Sequence, residues 1–214
     1  MKKLLLLLLP FAALSQYFQQ DVSYKIEVKL DDKNHVLRGF EMLSYKNNSS
    51  QTLEEIYMHV WPNAYKNKET ALAQQLKRND GDKIAKAEEK DLGFIDSLDF
   101  KINGEVVKWN YSEAHQDIVV LKLSQGLKPG ESIEITTPFK VKIPSGSISR
   151  LGHIGQSYQI TQWYPKPAVY DQNGWNAMPY LNQGEFYSEF GSFDVKITIP
   201  ANYVVGATGE LQTA

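Results

Sequence analysis

The stretch Tyr24-Lys25-Ile26-Glu27-Val28-Lys29-Leu30 decides the fold class, because apolar and charged residues alternate strictly along it. Side chains of a β-strand point to opposite faces in turn, so this pattern predicts a strand with one buried and one solvent-facing side. Further short strands are predicted along most of the chain, at residues 40–42, 56–61, 118–123, 133–135, 139–143 and 193–200. The sequence therefore predicts an all-β fold, a saddle-like β-sandwich.

Two local patterns refine this prediction. Asn103-Gly104 lies between two short apolar runs and is a strong signal for a tight β-hairpin. Thr70–Arg78 and Lys83–Lys90 are rich in alanine, glutamine, lysine and glutamate, which favours one or two short helices. The alternative for this stretch is a solvated loop that covers the sheet. We expect a small helical insertion between strands.

The amino terminus has the pattern of an export signal. Lys2 and Lys3 precede an apolar run from Leu4 to Leu14, and Ala13-Leu14-Ser15 supplies small residues for cleavage. The run is shorter than the roughly 20 apolar residues that span a bilayer, although a short anchor or a buried helix is the alternative. We expect a signal peptide at residues 1–15, no membrane span after its removal, and export to the periplasm or the extracellular space.

The amino-acid composition excludes several kinds of functional site. The chain has 214 residues, no cysteine and a formal net charge of −2. Disulfides, thiolate chemistry and cysteine metal sites are therefore excluded, and the dispersed basic residues give no nucleic-acid footprint. A mature region of this size, residues 16–214, is long enough to bury its own core.

The segment from Gln162 to Glu189 is unusually rich in aromatic, proline and carboxylate residues. Pro165 and Pro167 lack a backbone donor, so this segment cannot be a central strand. Rings on a rigid, irregular segment are suited to contact a sugar or a peptide, or else form a hydrophobic cluster beneath a loop. The rings in question are Trp163, Tyr164, Trp175, Phe186 and Tyr187.

The titratable residues contain no complete catalytic set. No two of the four histidines have the spacing of a His-Glu-x-x-His zinc motif, and no serine lies in a Gly-x-Ser-x-Gly elbow. His59, between Met58 and Val60, is predicted to be a hydrogen-bonded strand residue. Glu185 and Glu189 are four residues apart, which allows a glycosidase-like acid/base pair or two loop-bracing carboxylates.

Three blocks of sequence carry a resemblance to a known family. They are residues 39–41 with 56–65, residues 162–171, and residues 184–209 with Gly184-Glu185-Phe186 at their start. Together they resemble the N-terminal domain of exported bacterial zinc aminopeptidases of the aminopeptidase N (gluzincin) family. The resemblance covers nearly the whole mature chain, residues 16–214.

The resemblance implies two domains with different functions. A saddle-shaped β-domain precedes a thermolysin-like catalytic domain, in which zinc activates a water molecule. The β-domain forms one wall of the cleft and lends a glutamine or glutamate to the α-amine of the peptide substrate. The catalytic domain is absent from this chain, so we expect no cofactor here, zinc in the missing domain, and no activity of the chain alone.

The same resemblance implies which residues meet the substrate. Family members have a glutamine shortly before an aromatic-proline pair, here Tyr164-Pro165. The candidates are Gln162, Gln159 and Gln156, with Glu185 as a further acceptor and Trp163 and Tyr164 as neighbouring rings. Lys166 replaces the cysteine that usually follows the proline. The alternative function is a free-standing secreted module that binds carbohydrate or protein with the same aromatic residues.

Overall fold

The computed structural model describes residues 17–79 and 81–212, and its elements are mainly β-strands. The predicted signal peptide, residues 1–15, lies outside these ranges. The strands are β1 Asp21–Asp31, β2 Val36–Lys46, β3 Leu53–His59, β4 Phe94–Asp96, β5 Lys101–Ile102, β6 Glu105–Val106, β7 Lys108–Tyr111, β8 Ile118–Leu127, β9 Ser132–Lys142, β10 Gly152–Ile154, β11 Ser157–Gln159, β12 Lys166–Pro167, β13 Val169–Asp171, β14 Gly174–Asn176 and β15 Gly191–Thr198.

Two large sheets form the two layers of the fold. The seven-stranded sheet has the order β15-β1-β2-β9-β5-β6, with β4 also paired to β9. The four-stranded sheet has the order β12-β3-β8-β7, and β10–β11 and β13–β14 form two small ribbons. The main hydrophobic core combines residues of β1, β2 and β9 with residues of β3 and β8. The predicted all-β sandwich is confirmed.

Strand β1 shows how the sequence pattern builds this core. Its buried residues are Val22, Tyr24, Ile26, Val28 and Leu30, while the residues between them face solvent. Burying one such apolar side chain completely stabilises the folded state by about 1.5–3 kcal/mol. The alternation therefore commits one whole face of β1 to the core, as predicted.

Two strand predictions need correction. The run 56–61 ends as a strand at His59, because Trp61–Tyr65 forms a 3-10 turn with Pro62 near its start. Residues 133–135 and 139–143 belong to one strand, β9, and not to two. Pro138 is tolerated within it because β9 pairs with β5 at 135–136 and with β4 at 140–142, which leaves Pro138 between these partners.

The Asn103-Gly104 hairpin and the helical insertion are both present. Asn103 and Gly104 have φ angles of 51° and 85°, as a tight turn between β5 and β6 requires. Helix α1 spans Ala71–Asn79, and α2 spans only Lys83–Lys86, followed by a 3-10 turn at 89–91. The second helix is shorter than predicted, and Ile84 is its one buried residue.

Strand β15 forms an open edge of the larger sheet. It pairs in parallel with β1, and every one of its residues is exposed. Phe193, Val195 and Ile197 are 49%, 39% and 40% exposed. We call these three side chains, with the neighbouring Phe190, the β15 face.

Within the described ranges, none of the helices has the length and apolar character needed to cross a membrane.

Candidate functional site

The three sequence blocks meet around one indole ring, that of Trp61. Trp61 comes from the first block, and its ring centroid lies 5.1 Å from that of Phe186 in the third block. Lys166 of the second block places its Nζ 4.0 Å from the same ring centroid. The backbone explains this meeting, because β12 pairs with β3 so that Lys166 lies opposite His59. Segments that are about 100 residues apart in sequence thus share one site.

The Trp61 ring contacts His59 as well as Lys166. The imidazole of His59 stacks on the indole, with centroids 4.5 Å apart and planes 19° from parallel. His59 is fully buried, and neither ring nitrogen has a hydrogen-bond partner in the described residues. Burial, with a smaller effect of the Lys166 charge, lowers the pKa of His59 to about 3. The prediction of a hydrogen-bonded strand histidine is therefore wrong for its ring, which is a neutral packing surface.

Lys166 connects the second block to the third. Its Nζ donates hydrogen bonds to Gln162 Oε1 at 2.6 Å and to Ser188 Oγ at 2.8 Å. Gln162 adopts a left-handed backbone conformation with φ of 51°, which is uncommon outside glycine. Burial lowers the pKa of Lys166 to about 7, because the charged form loses its hydration. We call Trp61, Gln162, Lys166 and Ser188 the lysine cluster.

The other predicted site residues are divided between this cluster and the surface. Trp163 and Tyr164 are half-buried, and their rings pack against Phe139 at 5.9 Å and Tyr24 at 5.5 Å. Gln159 lies exposed at the end of β11, and Glu185 lies exposed after Gly184. The structure records no hydrogen bond from either Gln159 or Glu185 to the lysine cluster. Of the predicted contacts, the structure brings Gln162 to the cluster and places Trp163 and Tyr164 beside it.

The remaining rings and carboxylates do not form one continuous platform. Trp175 is half-buried against Tyr45, Tyr57 and Tyr170, whereas Tyr187 is 43% exposed. Burial raises the pKa of Glu189, while hydrogen bonds from the Gln19 side chain and the Gln20 backbone act in the opposite direction. Glu189 and Glu185 therefore lie in different environments, and the glycosidase pair remains an alternative hypothesis.

Lys166, Ser188 and Trp61 were not predicted as partners from the sequence. Lys166 had one available signal, because it is a lone charged residue between two prolines in the run Pro165-Lys166-Pro167-Ala168-Val169. A charge in such an apolar run is expected to be buried and to need partners. No local pattern links it to Ser188, which lies 22 residues further along the chain.

Glu41 of the first block is the other unusual charge in the sandwich. It is 1% exposed, and neither carboxylate oxygen has a hydrogen-bond partner in the described ranges. Burial raises its pKa well above the usual value of 4.5. Its strand, β2, directs the neighbouring Leu43 and Tyr45 to the same core face, which explains why the Glu41 side chain is buried.

Glu41→Gln should remove the part of the pH dependence of stability that comes from Glu41. Because the folded-state pKa is raised, the contribution of Glu41 to stability is fully present below pH 4.5 and is lost as the pH rises, by about 1.4 kcal/mol per unit for a proton held only when folded. Urea unfolding of both proteins from pH 4.5 to 8 measures this. Glu27→Gln, on the solvent face of β1, is the control and should retain the wild-type slope. An unchanged slope in Glu41→Gln would contradict the expectation.

A bound metal ion needs several histidine or carboxylate ligands that converge on one point. Among residues 17–79 and 81–212, no group of three or more histidine, aspartate or glutamate side chains is arranged to hold one. The lysine cluster itself offers a cation and amide and hydroxyl groups, which are not the ligands of a zinc site.

Comparison with known proteins gives structural neighbours but no sequence match. No protein-family model and no curated protein sequence matches the chain. Several of the solved structures similar to it are M1 zinc metallopeptidases. One is the Deinococcus radiodurans enzyme, as a mutant bound to a Tyr-Ser-Ala substrate, with 15% identity and a TM-score of 0.49. That match covers 91% of this chain and 36% of the neighbour.

Two further neighbours show how far the similarity extends. Another structure of the Deinococcus radiodurans M1 zinc metallopeptidase has 15% identity and a TM-score of 0.46, over 92% of this chain and 35% of its own length. Yeast LTA4 hydrolase in complex with bestatin has 10% identity and a TM-score of 0.32, over 56% of this chain and 14% of the neighbour. The present chain thus spans about a third of the length of the first two neighbours.

Proposed function

We propose that this chain is the N-terminal domain of an exported zinc aminopeptidase, and that it forms one wall of the cleft that holds the peptide substrate. The catalytic zinc would belong to a thermolysin-like domain of the same polypeptide. Residues 162–167 and 184–189 would face the substrate, with Gln162, Glu185, Trp163 and Tyr164 as the nearest groups and Gln159 further out on its ribbon.

The observation that carries this proposal is the convergence of the three sequence blocks. Residues 61, 166 and 186–188 lie in the three blocks that carry the family resemblance, although Lys166 itself replaces the usual cysteine. In the fold these residues are in contact. Trp61 contacts Lys166 and Phe186, and Lys166 donates a hydrogen bond to Ser188. A pattern that maintains a shared site explains this clustering better than three unrelated structural needs.

The β15 face supports the presence of a further domain. An open strand edge with apolar side chains on it is rare in a soluble protein, because it attracts other chains. Phe190 is 84% exposed and lies directly before β15, where it extends the apolar area. We propose that this face is covered by the catalytic domain.

The proposal is tested by the polypeptide encoded beyond residue 214. We expect an in-frame His-Glu-x-x-His motif, and zinc-dependent release of nitroaniline from aminoacyl-nitroanilides by the longer polypeptide. The 214-residue chain alone should show no turnover above the blank. Turnover by the short chain would overturn the proposal. A longer polypeptide without this motif or activity would overturn it in favour of the free-standing binding module.

A further inference from the structure

Lys166 is a buried cation without a carboxylate partner. Its residue is 6% exposed, and none of the ion pairs among the described residues involves it. Buried charges in proteins are normally paired, because an isolated charge in a low-dielectric region is costly. The cluster therefore has a positive charge that a negatively charged ligand would balance.

The hydrogen bonds of Lys166 decide what the cluster offers to a ligand. An ammonium group has three N–H donors and no acceptor. Two of the donors contact Gln162 Oε1 and Ser188 Oγ, and the nitrogen lies 4.0 Å from the centre of the Trp61 ring, a favourable cation–π position. The carbonyl of Gln162 thus already accepts a hydrogen bond from a cation of the domain, and a protonated substrate amine bound to the same oxygen would be repelled by the Lys166 charge.

Both acceptors of Lys166 also carry donors. With its carbonyl engaged, Gln162 presents its two amide N–H groups, and Ser188 presents its hydroxyl hydrogen. Gln162 is half-exposed and Ser188 is exposed, so both can reach a ligand. Because both side-chain oxygens contact the same nitrogen, these donors are close neighbours. Neighbouring N–H and O–H donors next to a cation are the chemistry of carboxylate binding.

We propose that Gln162 and Ser188, with Lys166 behind them, bind a carboxylate group and do not bind the protonated amine of a peptide. Only the assumption that the carboxylate belongs to a peptide rests on the function proposed above. The family resemblance implies an amine-binding glutamine, so this chain reverses the polarity expected at Gln162. The amine would then be received by a different acceptor on this wall, for which the exposed Glu185 is our candidate.

The proposal is tested by side-chain amide NMR on the 15N-labelled 214-residue chain at pH 6. N-acetylglycine supplies a carboxylate without an amine, and glycinamide supplies an amine without a carboxylate. N-acetylglycine should shift the Gln162 side-chain amide signals saturably, whereas glycinamide should not. Equal or larger shifts with glycinamide, or no shift with either probe, would overturn the proposal.

Variants separate the contributions within the cluster. Lys166→Met should weaken N-acetylglycine binding about tenfold and should allow glycinamide to shift the Gln162 signals, because the carbonyl is freed. Ser188→Ala changes an exposed residue and serves if Lys166→Met does not fold; it should also weaken N-acetylglycine binding. Lys196→Met, on the exposed strand β15, is the matched control. Unchanged binding in both cluster variants would contradict the assignment.

A third probe identifies the source of the carboxylate. The α-amide of N-acetylaspartate carries only a side-chain carboxylate, whereas N-acetylglycine carries only a C-terminal one. Tighter binding of the first indicates an acidic residue in the substrate, and tighter binding of the second indicates a C-terminus. This readout does not require turnover, so the failure of the peptidase proposal and the failure of the carboxylate proposal are distinguishable.

Discussion

Gly39→Ala should destabilise the domain by about 3 kcal/mol, because one added methyl group has no space. Gly39 of β2 lies opposite Phe139 of β9, and a Cβ atom on it would be 2.3 Å from Cζ of that ring. Phe139 is 2% exposed and packs against Trp163, so its ring cannot move into solvent. Urea unfolding followed by circular dichroism measures the loss.

Two further variants make the Gly39 result specific. Gly206→Ala is the control, since nothing lies within 4 Å of a Cβ at that position, and it should unfold as the wild type does. The double variant Gly39→Ala, Phe139→Leu should recover part of the loss, because the shorter side chain makes room. If Gly39→Ala were as stable as Gly206→Ala, the contact between Gly39 and Phe139 would not limit stability. The contact also matters for the site, because Phe139 supports Trp163 beside Gln162.

Acid should destabilise the domain through His59, by about 4–5 kcal/mol between pH 6.5 and pH 3. The folded-state pKa of about 3 lies below the usual value of 6.5. In this window the unfolded chain binds a proton that the folded chain excludes, so the free energy of unfolding falls as the pH falls. Above pH 6.5 the imidazole is neutral in both states and this contribution is fully present.

The contribution of His59 is measured as a difference between variants. His59→Phe keeps an aromatic ring against Trp61 but cannot bind a proton, so its unfolding free energy should fall less steeply below pH 6.5 than that of the wild type. His115→Gln, in the turn before β8, is the control for loss of a histidine and should retain the wild-type slope. Equal slopes for the wild type and His59→Phe would show that the buried imidazole accepts a proton without unfolding.

The accuracy of the sequence-based predictions differed between the fold and the site. The strand β1 and the hairpin at Asn103-Gly104 were predictable, because alternation and turn chemistry depend on neighbouring residues. The length of β9 was not predictable, because the tolerance of Pro138 depends on where two other strands end. The role of the His59 ring was mistaken for the same reason, since its environment comes from Trp61 and β12.

By itself, the sequence determined the all-β class, the small helical insertion and the segments that carry the aromatic and polar residues of the site. These follow from patterns with a period of two or from single turns, which a local stretch of chain contains. Only the tertiary structure decided that Lys166 donates hydrogen bonds to Gln162 and Ser188 while its Nζ lies over the ring of Trp61. A buried lysine takes whichever acceptors the fold brings within about 3 Å, and that proximity is a property of the packed sheets and not of any one segment.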